Sequence, residues 1–245
     1  MPESRRREFL AAAGIAGFTA TAMIGCSSKQ RTFVHGEHGI SEDTASLTPQ
    51  QALTKIEDGN ARFVAMKEIE PNVSSDRLMA VARGQRPFVG VLGCVDSRVP
   101  PELVFDRGLG DIFDARIAGA IPVDPAIGSL EFGVEEFGVP LLVVLGHSDC
   151  GAVTAAVKAV QSGTTTAPGK IGAVIDPIVP AVQAVQSRGI AGTALVPAVV
   201  EEVVRRGVAA LESSPLLRER RASGALMIAG AVYDLATGRV RFDKP

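Results

Sequence analysis

A chain of 245 residues with 46% hydrophobic content is long enough to bury the core of one substantial α/β domain. Its formal charge of −2 offers no basic face for nucleic acid, and the absence of Trp, with a single Tyr (Tyr233), leaves few stacking platforms for bases or sugars. Three cysteines at uneven spacing are too few for a disulfide framework.

The chain begins with an export-type segment. Ser4-Arg5-Arg6-Arg7-Glu8-Phe9-Leu10 has the paired arginines of a twin-arginine signal, and the apolar, small-residue run from Leu10 to Gly25 is shorter than a comfortable membrane span. Ala22-Met23-Ile24-Gly25-Cys26 resembles a lipoprotein processing site with Cys26 as the lipidated residue, although Met23 stands where Leu is usual. Residues 1–26 are therefore read as an export segment, and the protein is expected outside the cytoplasm, with a candidate lipid anchor on the outer side of the membrane. Residues 27–47 are polar and without apolar periodicity, so they read as a flexible tether in which His35 and His38 have no fixed geometry.

A catalytic domain is expected over residues 48–245. Thr48-Pro49-Gln50-Gln51 is a helix start, and Leu53, Ile56, Phe63 and Val64 give that helix an apolar face up to about Met66. A second helix, Ser74 to Arg83, is closed by Gly84. Both helices precede any strand, so they cannot be crossovers and must lie on the outside of something, such as a neighbouring subunit. Phe88–Leu92 reads as a buried parallel strand, Pro100–Phe105 as a helical turn and Ile112–Arg116 as a second strand. Pro125–Phe137 is a crossover helix and Leu141–Leu145 a third strand. A helix opening at Gly151 follows and runs to about Gln161, and Ser162 to Lys170 is a surface loop. Ile171–Ser187, interrupted by Pro177 and Pro180, and Ala194–Ser213 are helical, with Arg205 and Arg206 read as solvated surface. Ala225–Val232 and Arg239–Phe242 close the chain as strands. The fold class is α/β: a mostly parallel central sheet flanked by helices, with an extra C-terminal strand.

The chemistry concentrates at two strand ends. The first delivers Cys94-Val95-Asp96-Ser97-Arg98 and the second His147-Ser148-Asp149-Cys150-Gly151. Open α/β sheets bind ligands at the carboxyl ends of their strands. Cys94, His147 and Cys150 are the ligand set of a catalytic zinc site, one Zn2+ per chain, which keeps its fourth position for water or substrate. Zinc brings the pKa of bound water down to about 7 and so supplies hydroxide near neutrality. Two thiolates cancel the metal's formal charge, so a higher water pKa and activity rising with pH are expected. Asp96 can close the site as a fourth ligand, or be held away by a bidentate pair with Arg98 and orient the hydroxide instead.

These paired motifs resemble those of beta-class carbonic anhydrases, which reversibly hydrate carbon dioxide to bicarbonate. The likeness includes Gly84-Gln85, Val99-Pro100-Pro101-Glu102, Gly110-Asp111-Ile112-Phe113, Ser129-Leu130-Glu131, Tyr233-Asp234 and Thr237-Gly238, and runs from about Thr48 to the C-terminus. The resemblance implies N-terminal helices embracing a partner in a homodimer or higher homo-oligomer, with active sites at the interface. It also implies that Gln85 binds carbon dioxide or bicarbonate, that Phe113 and Phe132 line the cavity, and that the Gly151 N–H contacts substrate. Ser97, between Asp96 and Arg98, is grouped with the substrate-contacting residues. Arg116-Ile117-Ala118-Gly119-Ala120 replaces the Arg-Asn-Ala-Gly-Asn of many relatives, and Phe132 stands where plant-type members carry Tyr, so two amides and a hydroxyl are lost. Rival readings are hydrolysis of carbon disulfide or carbonyl sulfide on the same scaffold, a non-catalytic zinc protein closed by Asp96, and a thiol–disulfide protein using Cys94 and Cys150 without a CxxC motif.

Overall fold

A computed structural model of the chain describes residues 47–164 and 167–243. The export segment with Cys26, the tether with His35 and His38 up to residue 46, and the centre of the 162–170 loop lie outside the described residues.

Helix α1 (Pro49–Val64) starts as its residue types dictate. Thr48 Oγ1 accepts from the Gln51 N–H at 3.2 Å while the Thr48 N–H donates to Gln51 Oε1 at 2.8 Å, which satisfies two end donors reciprocally. Helix α2 (Ser75–Val81) is capped by the Ser74 hydroxyl. It ends on right-handed Ala82, not at Gly84: the helix stops two residues early without needing a left-handed glycine.

Strand β1 (Val89–Gly93), the short helix α3 (Pro101–Val104), strand β2 (Ile112–Arg116), helix α4 (Asp124–Phe137) and strand β3 (Leu141–His147) follow in order. Helix α5 (Gly151–Ser162) comes next. The expected helix 171–187 is three pieces: α6 (Gly172–Ile175), a 3-10 turn at Asp176–Ile178, and α7 (Val179–Gln186). Pro177 and Pro180 each sit where a short helix starts, because their missing N–H costs nothing there. Helix α8 (Leu195–Ser213) is followed by α9 (Pro215–Ala222), which the sequence reading missed although Ser214-Pro215 is a sound N-cap and first-turn pair. Strands β4 (Met227–Tyr233) and β5 (Val240–Asp243) close the chain.

Among the described residues, five strands form one sheet in the order β2-β1-β3-β4-β5; only β5 pairs antiparallel. β1 and β3 are buried along their whole length, which is why they read as unbroken apolar runs. Their side chains still alternate. Leu141, Val143 and Leu145 join α1 and Phe105 on one face, while Leu142 and Val144 join Leu130, Leu211 and Ile228 on the other. Each such buried Leu or Val stabilises the fold by about 2 kcal/mol. Helix α8 lies close against the sheet because a Cβ on Gly207 would come within 2.7 Å of Val144, and one on Gly146 within 2.6 Å of Val204. Buried Asn60 of α1 donates to the carbonyls of Val104 and Gly238 and accepts from the Val240 N–H, tying α1 to α3 and β5.

Arg205 and Arg206 are not simply solvated surface. Their guanidiniums are exposed but converge with Arg188 on the buried carboxylate of Glu202, at 2.6, 2.8 and 3.3 Å. Arg206 also reaches the Pro180 carbonyl, so the cluster joins α8 to α7. The bond from Arg205, reinforced by Arg206, holds Glu202 at about 2 against an ordinary 4.5, although burial pushes the other way. A depressed carboxyl stabilises fully above 4.5 and loses that contribution as pH falls through about 2. Glu202→Gln should therefore lower the unfolding free energy by about 2 kcal/mol, a figure discounted for the exposure of the arginines. The gap between parent and variant in urea titrations should stay constant from about pH 8 to about pH 5.

Candidate metal centre

Three chain segments deliver the site. Parallel β1 and β3 are adjacent with Gly93 opposite Leu145, so the residues that follow each strand emerge at the same sheet end. Cys94 comes one residue after β1. His147 is the last residue of β3, which runs two residues further than expected. Cys150 is the N-cap of α5, and Asp149 between them takes a left-handed φ of 51°, a conformation that Asp tolerates better than most residues.

The ligand atoms of Cys94, His147 and Cys150 all lie within 4.8 Å of one another, and the three residues are 5, 1 and 3% exposed. The His147 Nδ1–H donates to the Ser148 carbonyl at 2.9 Å, which leaves Nε2 as the bare nitrogen. That Nε2 is buried and has no hydrogen-bond partner. An orphaned buried acceptor facing two sulfurs is costly unless something else meets it. A tetrahedral Zn2+ with two sulfur ligands and one nitrogen ligand fits that donor set.

The electrostatics point the same way. A hydrogen bond from the Cys150 thiol pulls Cys94 down to about 4 against the opposing effect of burial, with help from His147 and the Gly119 N–H. The Gly119 N–H donates to Cys94 Sγ at 3.3 Å. The same thiol–thiolate bond, together with burial, pushes Cys150 far up. Burial pulls His147 down, but the Cys94 thiolate and the Ser148 carbonyl outweigh it and raise its pKa. With one sulfur lowered and the other raised by the bond between them, Cys94 and Cys150 face each other as a donor pair that would suit a divalent cation once both are deprotonated.

Asp96 stands beside the trio. Arg98 Nε donates to its Oδ1 at 2.9 Å and Arg98 Nη2 to its Oδ2 at 2.7 Å, with the Arg98 N–H adding a third bond to Oδ1. The Arg98 guanidinium holds the Asp96 carboxyl well below the usual carboxylate range. Asp96 Oδ2 lies 3.9 Å from His147 Nε2. Ser97 is exposed next to this pair, and Gly151 is the first residue of α5, where backbone N–H groups and the helix dipole favour an anion.

Three expected site residues do not reach the trio within one chain. Gln85 is exposed and precedes β1, so it lies at the opposite strand end from Cys94. Phe113 pairs with Gly90, four residues and about 13 Å of strand before Cys94. Phe113 packs with Phe132 and Phe137, ring centroids 6.5 and 5.6 Å away, and Phe132 is mostly exposed.

In the altered segment 116–120 the backbone makes hydrogen bonds of its own. The Ile117 N–H donates to the Gly93 carbonyl and the Ala120 N–H to that of Ile117. Gly119 has φ 78°, and a Cβ there would meet Ile178 at 2.7 Å, so glycine is required twice over. The sequence reading missed Arg116, whose guanidinium reaches the Cys94 and Asp96 carbonyls. Its signals were a basic residue ending a strand and the Arg that opens the Arg116–Ala120 segment, both noted without a role.

Purified protein should carry about one zinc per chain. Cys150→Ser should cut that content at least tenfold by atomic absorption, since it removes a thiolate ligand. A metal-free parent with Cys94 and Cys150 joined as a disulfide would contradict this assignment.

The carbonic anhydrase family profile matches residues 89–240. Carbonic anhydrase 2 of Mycobacterium tuberculosis is 39% identical over 195 residues, covering 79% of this chain and 92% of that protein. The beta-carbonic anhydrase CafA of Aspergillus fumigatus superposes with a TM-score of 0.62 at 25% identity, covering 80% of this chain and 92% of that one. A tetrameric beta-carbonic anhydrase from Sordaria macrospora has the same fold, with a TM-score of 0.61 at 24% identity over 79% and 95% of the two chains. With a mostly parallel sheet, a Cys-His-Cys trio at its carboxyl end and this family match, the chain belongs to the carbonic anhydrase family, in its beta class.

Proposed function

We infer that the protein catalyses the reversible hydration of carbon dioxide to bicarbonate and a proton. The observation that carries this reading is the buried, unpartnered His147 Nε2 beside two sulfurs, with Asp96 engaged by Arg98 and so not required as a metal ligand. Bound by Cys94, His147 and Cys150, zinc supplies Lewis acidity that makes hydroxide available near neutral pH.

The chain's own groups do the rest. The Ser148 carbonyl fixes the His147 tautomer, so that Nε2 faces the metal position. Arg98 keeps Asp96 ionised and turned aside, which leaves Asp96 Oδ2, 3.9 Å from His147 Nε2, as the acceptor that would take a hydrogen bond from the nucleophilic oxygen and orient it. The Gly151 N–H, at the start of α5, would donate to an oxygen of the bicarbonate product. Because both Asp96 and Arg98 are shifted away from neutrality, neither titrates in the working range.

The likeness to a tetrameric relative and the exposed apolar side chains Leu78, Met79, Val95, Leu103, Leu109 and Phe132 support a homo-oligomer built on a dimer. A second copy that covers such side chains is the route by which Gln85, Phe113 and Phe132 would come to a neighbour's metal trio. We further propose export of the chain on its 1–26 segment with lipidation at Cys26. Palmitate labelling of the expressed protein that disappears in Cys26→Ala tests the anchor.

Stopped-flow assay should show carbon dioxide hydration that increases with pH above about 7, because two thiolates offset the metal charge. Asp96→Asn should keep its zinc and lose about a hundredfold in kcat. A zinc-loaded parent that turns over carbonyl sulfide but not carbon dioxide would reverse the substrate assignment.

A further inference from the structure

The loop carrying both Cys94 and Asp96 has one main-chain bond of its own, from the Val99 N–H to the Asp96 carbonyl at 3.1 Å, beside the Arg98–Asp96 pair. It leaves the sheet at Gly93, and Val95 between the two functional residues is 52% exposed, so burial of that side chain does not anchor it. Its Cys94 end is fixed by the segment ending the neighbouring strand, which reaches Asp96 as well. Arg116 Nε donates to the Cys94 carbonyl at 2.9 Å and Arg116 Nη2 to the Asp96 carbonyl at 2.7 Å. The Ile117 N–H reaches the Gly93 carbonyl at 2.9 Å, and the Gly119 N–H reaches Cys94 Sγ at 3.3 Å. Four donors from residues 116–119 thus meet residues 93–96, and two of the four belong to one guanidinium.

We propose that Arg116 is a positioning residue: its planar fork clamps the Cys94 and Asp96 carbonyls and thereby sets where the Asp96 carboxylate stands relative to the metal ligands. This rests on the hydration reading above only for the consequence in turnover. The clamp works through peptide planes. Holding the carbonyls of residues 94 and 96 orients the Cys94–Val95 and Asp96–Ser97 peptides, and with them the directions in which Cys94 and Asp96 project their side chains. Arg98 then fixes the carboxylate within that frame, through its own backbone N–H as well as its guanidinium. The two arginines act on different parts of one residue, with Arg98 holding the side chain of Asp96 and Arg116 its main chain. β2 is the outermost strand of the sheet, so its last residue is free to reach over the loop instead of pairing with a further strand. A lysine keeps the charge but presents a single ammonium on a flexible stem, and cannot bridge both carbonyls with the same fixed geometry.

The test compares zinc-loaded parent, Arg116→Ala and Arg116→Lys by the rate of zinc release to excess chelator and by stopped-flow kcat and KM. In Arg116→Ala, zinc release should quicken about tenfold and kcat fall about tenfold or more, with KM held within about twofold. Arg116→Lys should fall between the two on both measures, and it carries the test alone if Arg116→Ala does not fold. Zinc release and kcat equal to the parent's in Arg116→Ala would overturn the clamp, as would parent-like values in Arg116→Lys if the alanine variant is not obtained. A parent inactive on carbon dioxide, but with zinc release still accelerated by Arg116→Ala, would support the clamp while removing the hydration reading.

Discussion

The structure depends on the parallel pairing of β1 with β3. Parallel strands run their carboxyl ends to one side of the sheet, and Gly93 opposite Leu145 brings residues 94 and 147 out together. A slip of one residue in that register would turn every side chain of the slipped strand to the other face and separate the sulfur from the imidazole. The register is held by burial on both faces: Leu142 and Val144 pack under α8, while Val143 and Leu145 pack on the α1 side. The metal trio is therefore a product of core packing far more than of any contact within the loops.

Around that frame the site is arranged as a chain of single-purpose contacts. A main-chain carbonyl selects the imidazole nitrogen, a glycine N–H meets the sulfur, and an arginine keeps the nearby carboxylate ionised and aside. Each contact removes an alternative state that would block chemistry: the wrong tautomer, a protonated sulfur, or a carboxylate filling the open position. Left-handed backbone at Gly119, Ala120 and Asp149 accompanies these contacts. Strain near a ligand set is maintained only where its surroundings are rigid, and here the sheet end and α5 supply that rigidity.

The single chain also carries surface that burial has not used. Phe132 and the apolar residues of α2 and α3 face outward, and the aromatic cluster of Phe113, Phe132 and Phe137 sits at the sheet edge instead of beside the trio. These exposed side chains are ones a second copy would cover, which is why a homo-oligomer belongs to the functional reading.

The amino-acid sequence by itself determined the residue types and their local settings. The capping box at Thr48, the apolar runs of β1 and β3, the boundaries of β2, and Cys150 at the head of α5 were all legible, because caps, periodicity and strand runs are encoded within a few residues. So were Cys94, His147 and Cys150 as a ligand set, since zinc asks for residue types. What only the tertiary structure decided is which distant groups meet. Arg116 over the 94–96 loop, Arg188, Arg205 and Arg206 on Glu202, and Phe113 away from the trio depend on strand order and helix placement. Those follow from how the whole chain buries its apolar surface, a sum over contacts far apart in sequence that no local pattern records.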